Sequence, residues 1–154
     1  MPPDVPTPRR LSEMLIGTRE LLSREDHTAT GERRIDPSLG ANPIAVLVYD
    51  RTGHLAAPFM KRERSDEQEA VPTAAAPNNN SARGGYDAYF GSYTVDDAGG
   101  TATQRLIGAL APQSVGMVLA RAMTVVDGEL TIPQETAIAG GEPITRTLRW
   151  RRVG

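Results

Sequence analysis

The chain has 154 residues, the size of one domain with a single core. Its formal net charge of −2 gives no long-range attraction for nucleic acid or for an anionic membrane surface. The absence of cysteine excludes disulfides and thiolate chemistry, and no apolar run approaches the length that crosses a bilayer. We therefore expect a cytoplasmic protein that binds neither nucleic acid nor membrane.

The N-terminal region is predicted to contain a disordered, proline-rich tail over residues 1–12, followed by one β-barrel domain over residues 13–154. The start of that domain has two interpretations. It is either a helix capped by Ser12, or a short helical turn that ends at Gly17 and leads into an extended strand. Local propensity favours the helix, but it is not sufficient to exclude the strand, so this part of the sequence leaves the choice open.

Most of the remaining chain alternates apolar and polar residues with a period of two, which is typical of strands. The predicted strands cover residues 18–26, 44–49, 54–60, 89–95, 101–110, 117–126, 130–132 and 144–153. Turn signals such as Asp50 to Gly53 and the pair Asp127-Gly128 join neighbouring strands. Eight strands in an up-and-down order close most naturally into an antiparallel barrel, because closure removes exposed sheet edges. The predicted fold class is therefore all-β.

Residues 62–85 form the one long link in this pattern, and a link of that length is uncommon without a function. We interpret it as a charged surface loop with a short helix before the fourth strand. A lid over the mouth of the barrel is the alternative.

Three of the four tyrosines occur within eight residues, 86–93. Tyr89, Gly91 and Tyr93 fall on alternate positions, so in a strand they share one face. A face with two phenols and a bare backbone either packs against a flat group or lines a space. The segment therefore indicates a fold with a ligand chamber.

Several motifs follow one another in a characteristic order. They are Leu15-Ile16-Gly17-Thr18, residues 47–54, Tyr86-x-x-Tyr89-Phe90-Gly91-Ser92-Tyr93, Gly100-Thr101-x-Thr103, Gly128-Glu129-Leu130-Thr131 and residues 148–153. This order resembles the bacterial and fungal lipocalin-like domain family, over residues 13–154. The resemblance implies a small antiparallel barrel with an internal cavity, and it favours the strand over the helix for residues 18–26.

Two positions depart from the family pattern. Arg19 stands where the family usually has Trp, so the closed end of the barrel either lacks an aromatic plug or is filled by Trp150, in which case Trp150 should be mostly buried. Gln104 stands where the family often has His, and an amide cannot serve as a titrating acid or base.

Arg121 lies in the alternating run Met117-x-Leu119-x-Arg121-x-Met123, on the side with the larger apolar residues. If that side is interior, the guanidinium requires an acceptor, because an unpaired buried charge is costly. A ligand carboxylate, enolate or carbonyl oxygen suits its planar fork, whereas an interior carboxylate or a solvent-facing register are the alternatives. The predicted ligand-binding residues are Arg121, Tyr89, Tyr93, Gln104, Met117, Leu119, Met123, Tyr49 and Met60. The sequence identifies no catalytic residue.

The two histidines, His27 and His54, have no spacing typical of a metal site, and nucleotide-binding motifs are absent. We therefore expect neither a metal nor a cofactor, and His54 should lie at the barrel rim. The four arginines of the last strand are interpreted as a basic side facing water. They are Arg146, Arg149, Arg151 and Arg152.

The predicted function is the binding of a small, mostly apolar, oxygen-bearing molecule, polyketide-like and connected with bacterial secondary metabolism. The alternative is a cofactor-independent cyclase or isomerase, pericyclase-like, acting on a polyketide- or polyene-type substrate. Such catalysis needs only shape and a few donors, so the sequence leaves open whether the protein is an enzyme. A barrel with a filled interior is a third interpretation, and self-association into a homodimer is compatible with all three.

Overall fold

The computed structural model describes residues 9–63, 82–138 and 141–154. Within these ranges the chain forms one short helix, one 3-10 turn and ten strands. They are α1 (Leu11–Met14), β1 (Gly17–His27), β2 (Arg33–Arg34), β3 (Ile44–Tyr49), β4 (His54–Met60), β5 (Tyr86–Asp96), β6 (Thr101–Ala109), the 3-10 turn Pro112–Ser114, β7 (Val118–Ala122), β8 (Thr124–Val126), β9 (Glu129–Ala137) and β10 (Pro143–Arg152). The strands pair antiparallel in the order β7-β6-β5-β4-β3-β1-β10-β9-β8, and β2 pairs with the end of β1.

The sheet nearly closes on itself through β7 and β8, which only Met123 separates. β7 pairs with β6 and β8 pairs with β9, so this bent segment connects the two ends of the strand order. When β7 and β8 are counted together and the two-residue β2 is set aside, eight strands remain. The predicted all-β, antiparallel barrel is confirmed, as is a strand rather than a helix over residues 18–26.

One end of the barrel, here called the helix end, carries α1 and the turns at residues 50–53, 96–100 and 127–128. Leu11 and Leu15 are buried there, and α1 packs against β5 and β8. The backbone N–H and the hydroxyl of Ser12 both donate to the carboxylate of Asp97, at 2.7 and 2.8 Å. The packed structure therefore begins at Leu11, slightly before the predicted boundary.

The opposite end, here called the loop end, carries the links at residues 28–43, 110–117 and 138–142. β4 also ends and β5 also begins at this end. Residues 64–81 of the long link predicted over residues 62–85 lie outside the described residues, and so does most of its predicted lid, as do residues 1–8 of the predicted tail. The described residues 82–85 form a turn with a bridge between Arg83 and Tyr86 rather than the short helix predicted before the fourth strand.

Trp150 lies in the interior, with only 1% of its surface exposed, and its ring packs edge-on against Phe59 at 5.7 Å between centroids. The expectation that Trp150 is buried is confirmed. Arg19 is equally buried, and its guanidinium donates to the carbonyl oxygens of Leu15 and Met14, each at 2.5 Å. An arginine therefore connects β1 to the C-terminal end of α1, where its charge also suits the helix dipole.

The bare backbone of Gly91 serves strand packing. The register between β5 and β6 shifts immediately before this residue. A Cβ atom at Gly91 would overlap the carbonyl oxygen of Arg105 on β6. The glycine between Tyr89 and Tyr93 is thus explained by a close approach of two strands.

Candidate functional site

Four polar side chains, each from a different strand, point into the middle of the barrel. They are Tyr49 of β3, Tyr89 of β5, Gln104 of β6 and Arg121 of β7. The Nε2 amide of Gln104 donates a hydrogen bond to the hydroxyl oxygen of Tyr49. Because that oxygen accepts from the amide, the Tyr49 hydroxyl proton remains available to another acceptor. We call these four residues the polar cluster.

The charge state of the polar cluster follows from its burial. Burial raises the pKa of Tyr89 to about 12, although the nearby charge of Arg121 acts in the opposite direction. Burial also raises the pKa of Tyr49, and it lowers the pKa of Arg121, which both phenols act to raise. At neutral pH both phenols therefore keep their protons and are hydrogen-bond donors, beside a guanidinium that has only donors.

The walls around the polar cluster are apolar. Leu119 and Met123 share the inner face of the β7 segment with Arg121, as the sequence predicted, and all three are buried. Phe59 of β4 stacks against Tyr89, with ring centroids 6.3 Å apart. The interior thus presents a small set of donors within hydrocarbon and aromatic surface, the usual composition of a small-molecule site.

Three of the predicted site residues lie elsewhere. The hydroxyl of Tyr93 donates to the backbone oxygen of Asp50 at 2.6 Å at the helix end, and its ring packs edge-on against Tyr49. Tyr93 therefore supports Tyr49 and has its hydroxyl at the rim. Met60 has the outward parity of β4, next to the inward Phe59, and Met117 is half-buried just before β7 begins.

A buried ionic network occupies the loop end. Arg146 donates to Asp26 at 2.7 and 2.9 Å and to Asp36 at 3.1 Å, and Arg24 donates to Asp36 at 3.2 Å. Burial acts to raise the pKa of Asp36, but Arg24, hydrogen bonds from Ser38 and Arg146 together lower it. The interpretation of Arg146 as solvent-facing is wrong.

The other arginines of β10 behave as predicted. All three, Arg149, Arg151 and Arg152, are exposed. Arg146 instead shares the inner face of β10 with Leu148 and Trp150, which follow it at every second position. His54 is also as expected, on the surface after its turn, with Nδ1 2.8 Å from the Thr52 hydroxyl.

Asp87 is a further interior carboxyl that sequence reasoning missed, in addition to Asp26 and Asp36 of the ionic network. It is 5% exposed on the inner face of β5, one same-face position from Tyr89 and opposite Phe59 in the register. Its Oδ1 atom is buried without a hydrogen-bond partner among the described residues. Burial raises its pKa to about 6, although the hydrogen bond from the backbone N–H of Ala88 and the charge of Arg24 both act to lower it. The signal was present, because Asp87 continues the alternation of Tyr89 and Tyr93 toward the loop end.

A depression of about 300 Å³ lies mainly on the outer surface of β4, β5 and the end of β6. Its lining is apolar and consists of Ala56, Ala57, Pro58, Ala88, Tyr89, Phe90, Ala109 and Leu110. Phe90 and Leu110 are exposed, and Phe90 lies over the backbone of Gly108. Residues of outward parity form most of this surface, and it meets the polar cluster at Tyr89, which belongs to both.

In the parts of the chain that the structure describes, no three His, Cys, Asp or Glu side chains come together as a metal site would require. None of the helices in those parts has the length and apolarity needed to span a membrane.

The family model described as a lipocalin-like domain matches residues 16–153, nearly the whole barrel. The chain belongs to the lipocalin-like domain family. Membership agrees with the order of motifs in the sequence and with the nearly closed antiparallel sheet, and a lipocalin-like barrel suggests small-molecule binding. None of the curated proteins matches the chain.

Proposed function

We propose that this lipocalin-like barrel binds a small, largely apolar molecule that carries a carbonyl, enolate or carboxylate oxygen, of the polyketide type found in secondary metabolism. The observation that carries the proposal is the placement of Arg121. Only 8% of this residue is exposed, and it stands between apolar neighbours with the phenols of Tyr49 and Tyr89 nearby. Buried donors of this kind fix the orientation of an oxygen while apolar walls hold the rest of a ligand.

The polar cluster favours an oxygen acceptor over other ligand groups. The guanidinium of Arg121 has only donors, and the phenols of Tyr49 and Tyr89 stay protonated at neutral pH because burial raises the pKa of both. Gln104 holds the Tyr49 oxygen, which directs the hydroxyl proton away from the amide. A planar carboxylate or enolate fits the planar fork of an arginine better than it fits a single point donor such as an ammonium group.

The proposal is tested with two probes of similar shape, 2-naphthoate and 2-ethylnaphthalene, by their effect on the melting temperature. A ligand that binds only the native state raises the melting temperature, and at a fixed ligand concentration the rise grows with the logarithm of its affinity. Arg121→Met keeps the length of the side chain and removes its donors. It should weaken 2-naphthoate by about tenfold or more and 2-ethylnaphthalene by far less, because a hydrogen bond to a charged group contributes about 1.5–3 kcal/mol.

Arg105→Met is the matched control, since Arg105 is an exposed arginine on β6, the strand next to Arg121. It should leave both probes unaffected. Equal weakening of both probes by Arg121→Met would reduce the proposal to a generic apolar chamber. If neither probe binds the wild-type protein at millimolar concentration, the proposal is wrong.

A cofactor-independent cyclase or isomerase is the second candidate, and the protonated phenols of Tyr49 and Tyr89 favour it. Donors held in place before the reaction stabilise charge as it develops in a transition state, without a titrating triad. Incubation of the protein with a linear, oxygenated polyene, followed by mass spectrometry and chromatography, separates the candidates. A carrier returns the compound unchanged, whereas a cyclase yields an isomer of equal mass.

A further inference from the structure

We infer that Asp87 is a second polar pole of the interior site and selects ligands that carry a hydroxyl group at the end remote from the oxygen bound by Arg121. The inference rests on the proposed function and names a finer ligand class, a molecule with an acceptor oxygen at one end and a hydrogen-bond donor at the other.

The geometry of β5 places the two poles in line. Asp87 and Tyr89 are successive inward residues, and such residues lie about 7 Å apart along a strand. Tyr89 also interacts electrostatically with both Asp87 and Arg121. Tyr89, one donor of the polar cluster, and the carboxylate of Asp87 therefore occupy successive inward positions of β5.

The chemistry of the two poles is opposite. Arg121, Tyr49 and Tyr89 present donors, whereas an ionised carboxylate presents only acceptors. The Oδ1 atom of Asp87 is buried and has no partner among the described residues. A buried acceptor without a partner is costly, and a ligand hydroxyl would satisfy it.

Among the charged and titratable groups around Asp87 that are named below, Asp87 itself is the one whose charge changes near neutral pH. Arg24 on β1 acts on it directly, and β4 presents the uncharged ring of Phe59 opposite it. Tyr89 has a pKa of about 12, and the pKa of Asp36, which binds Arg24, is lowered. Arg146 and Asp26 complete the ionic network behind Arg24.

The test uses the carboxylate probe introduced above together with its substituted forms. They are 2-naphthoate, 6-hydroxy-2-naphthoate and 6-methoxy-2-naphthoate, with benzoate, 4-hydroxybenzoate and 4-methoxybenzoate as a shorter series. Dissociation constants are measured by calorimetry or NMR at pH 5 and pH 7.5. The two series differ in length, so a mismatch of spacing in one of them does not decide the outcome.

In at least one series the hydroxyl form should bind more tightly than the methoxy form, by about tenfold at pH 7.5 and by about threefold or less at pH 5. The difference arises because a hydroxyl donates a stronger hydrogen bond to an ionised carboxylate than to a neutral one. In Asp87→Asn the preference should become equal at the two pH values. Asp127→Asn, which changes an exposed turn carboxylate, should keep the wild-type behaviour.

The role of Asp87 and the proposed function fail on different outcomes. If the unsubstituted carboxylates bind but the hydroxyl gives no pH-dependent advantage in either series, the role of Asp87 is wrong and the proposed function stands. The same holds if Asp87→Asn retains the pH dependence. If no carboxylate of either series binds the wild-type protein, the proposed function is wrong, and the inference fails with it.

Discussion

Arg146 and Asp26 face each other inside the barrel, joined by two hydrogen bonds of 2.7 and 2.9 Å across the paired strands β10 and β1. Asp36, from the link after β2, accepts hydrogen bonds from both Arg146 and Arg24. Two guanidinium groups and two carboxylates are thus held together at the loop end. Removal of one member leaves a buried charge without its counter-charge.

The first prediction concerns this compensation. Asp26→Leu or Arg146→Met alone should lower the free energy of unfolding by about 3–5 kcal/mol, because each leaves an uncompensated buried charge. The double variant removes both charges and should lose clearly less than the sum of the two single losses. Urea denaturation followed by the fluorescence of Trp150 measures all three.

These three variants form a double-mutant cycle, and the exposed pair Glu129 and Arg149 is its control. That pair joins the neighbouring strands β9 and β10 in solvent. The same cycle there should show a coupling below about 1 kcal/mol, as is usual for surface ion pairs. Strict additivity at Asp26 and Arg146 would contradict the view that they form one compensated unit.

The second prediction concerns Asp87 and pH. Its pKa rises from 3.8 to about 6 on folding, so the folded state binds its proton more tightly than the unfolded state does. The wild-type protein should therefore lose stability as pH rises from about 4 through about 6, and the loss persists above pH 6. Asp87→Asn should abolish this decline and be more stable than the wild type at pH 7, by roughly 2–3 kcal/mol.

Asp127→Asn provides the comparison, because Asp127 is exposed and its positive φ of 52° is one that asparagine also adopts. It should show the same decline between pH 4 and pH 6 as the wild type. A decline that survives in Asp87→Asn would assign the proton uptake to another group.

The third prediction uses the single tryptophan of the chain, which makes its fluorescence unambiguous. Trp150 is fully buried beside Phe59, so its emission should be blue-shifted relative to free tryptophan and poorly quenched by iodide. Trp150→Ala should cost about 3–5 kcal/mol of unfolding free energy through the cavity it creates. Ready quenching by iodide in the native protein would show that the last strand is placed wrongly.

The fourth prediction compares two glycines on the paired strands β5 and β6. Alanine at Gly91 would place its Cβ against the backbone carbonyl of Arg105, which cannot move without breaking the strand pair. Alanine at Gly108 would meet the exposed ring of Phe90, which can rotate away.

Gly91→Ala should therefore destabilise the barrel severely or prevent soluble expression, whereas Gly108→Ala should fold with a smaller loss of melting temperature. The double variant Gly108→Ala with Phe90→Ala should recover part of that loss, because the overlapping ring is gone. Equal losses for Gly91→Ala and Gly108→Ala would contradict the close approach of the two strands.

Local sequence determined where most strands and turns of this protein lie, with the exception of β1, whose local propensity favours a helix. Asp127 and Gly128 have φ angles of 52° and 79°, and Gly53 has a φ of 87°, conformations that such turn residues adopt readily. The alternation of the β7 segment was sufficient to group Arg121 with Leu119 and Met123 on one face. These features depend on neighbouring residues, so a single sequence carries them.

Only the tertiary structure decided which polar groups the interior holds and how they are satisfied. Period-two alternation defines two faces of a strand, and β10 carries arginines on both of them, so the pattern could not decide that Arg146 points inward. That choice depends on Asp26, 120 residues earlier in the chain. The hydroxyl of Tyr93 was likewise drawn to the rim by the backbone of Asp50, on another hairpin. Buried charges and hydroxyls are placed by partners distant in sequence, which closure of the barrel alone brings together.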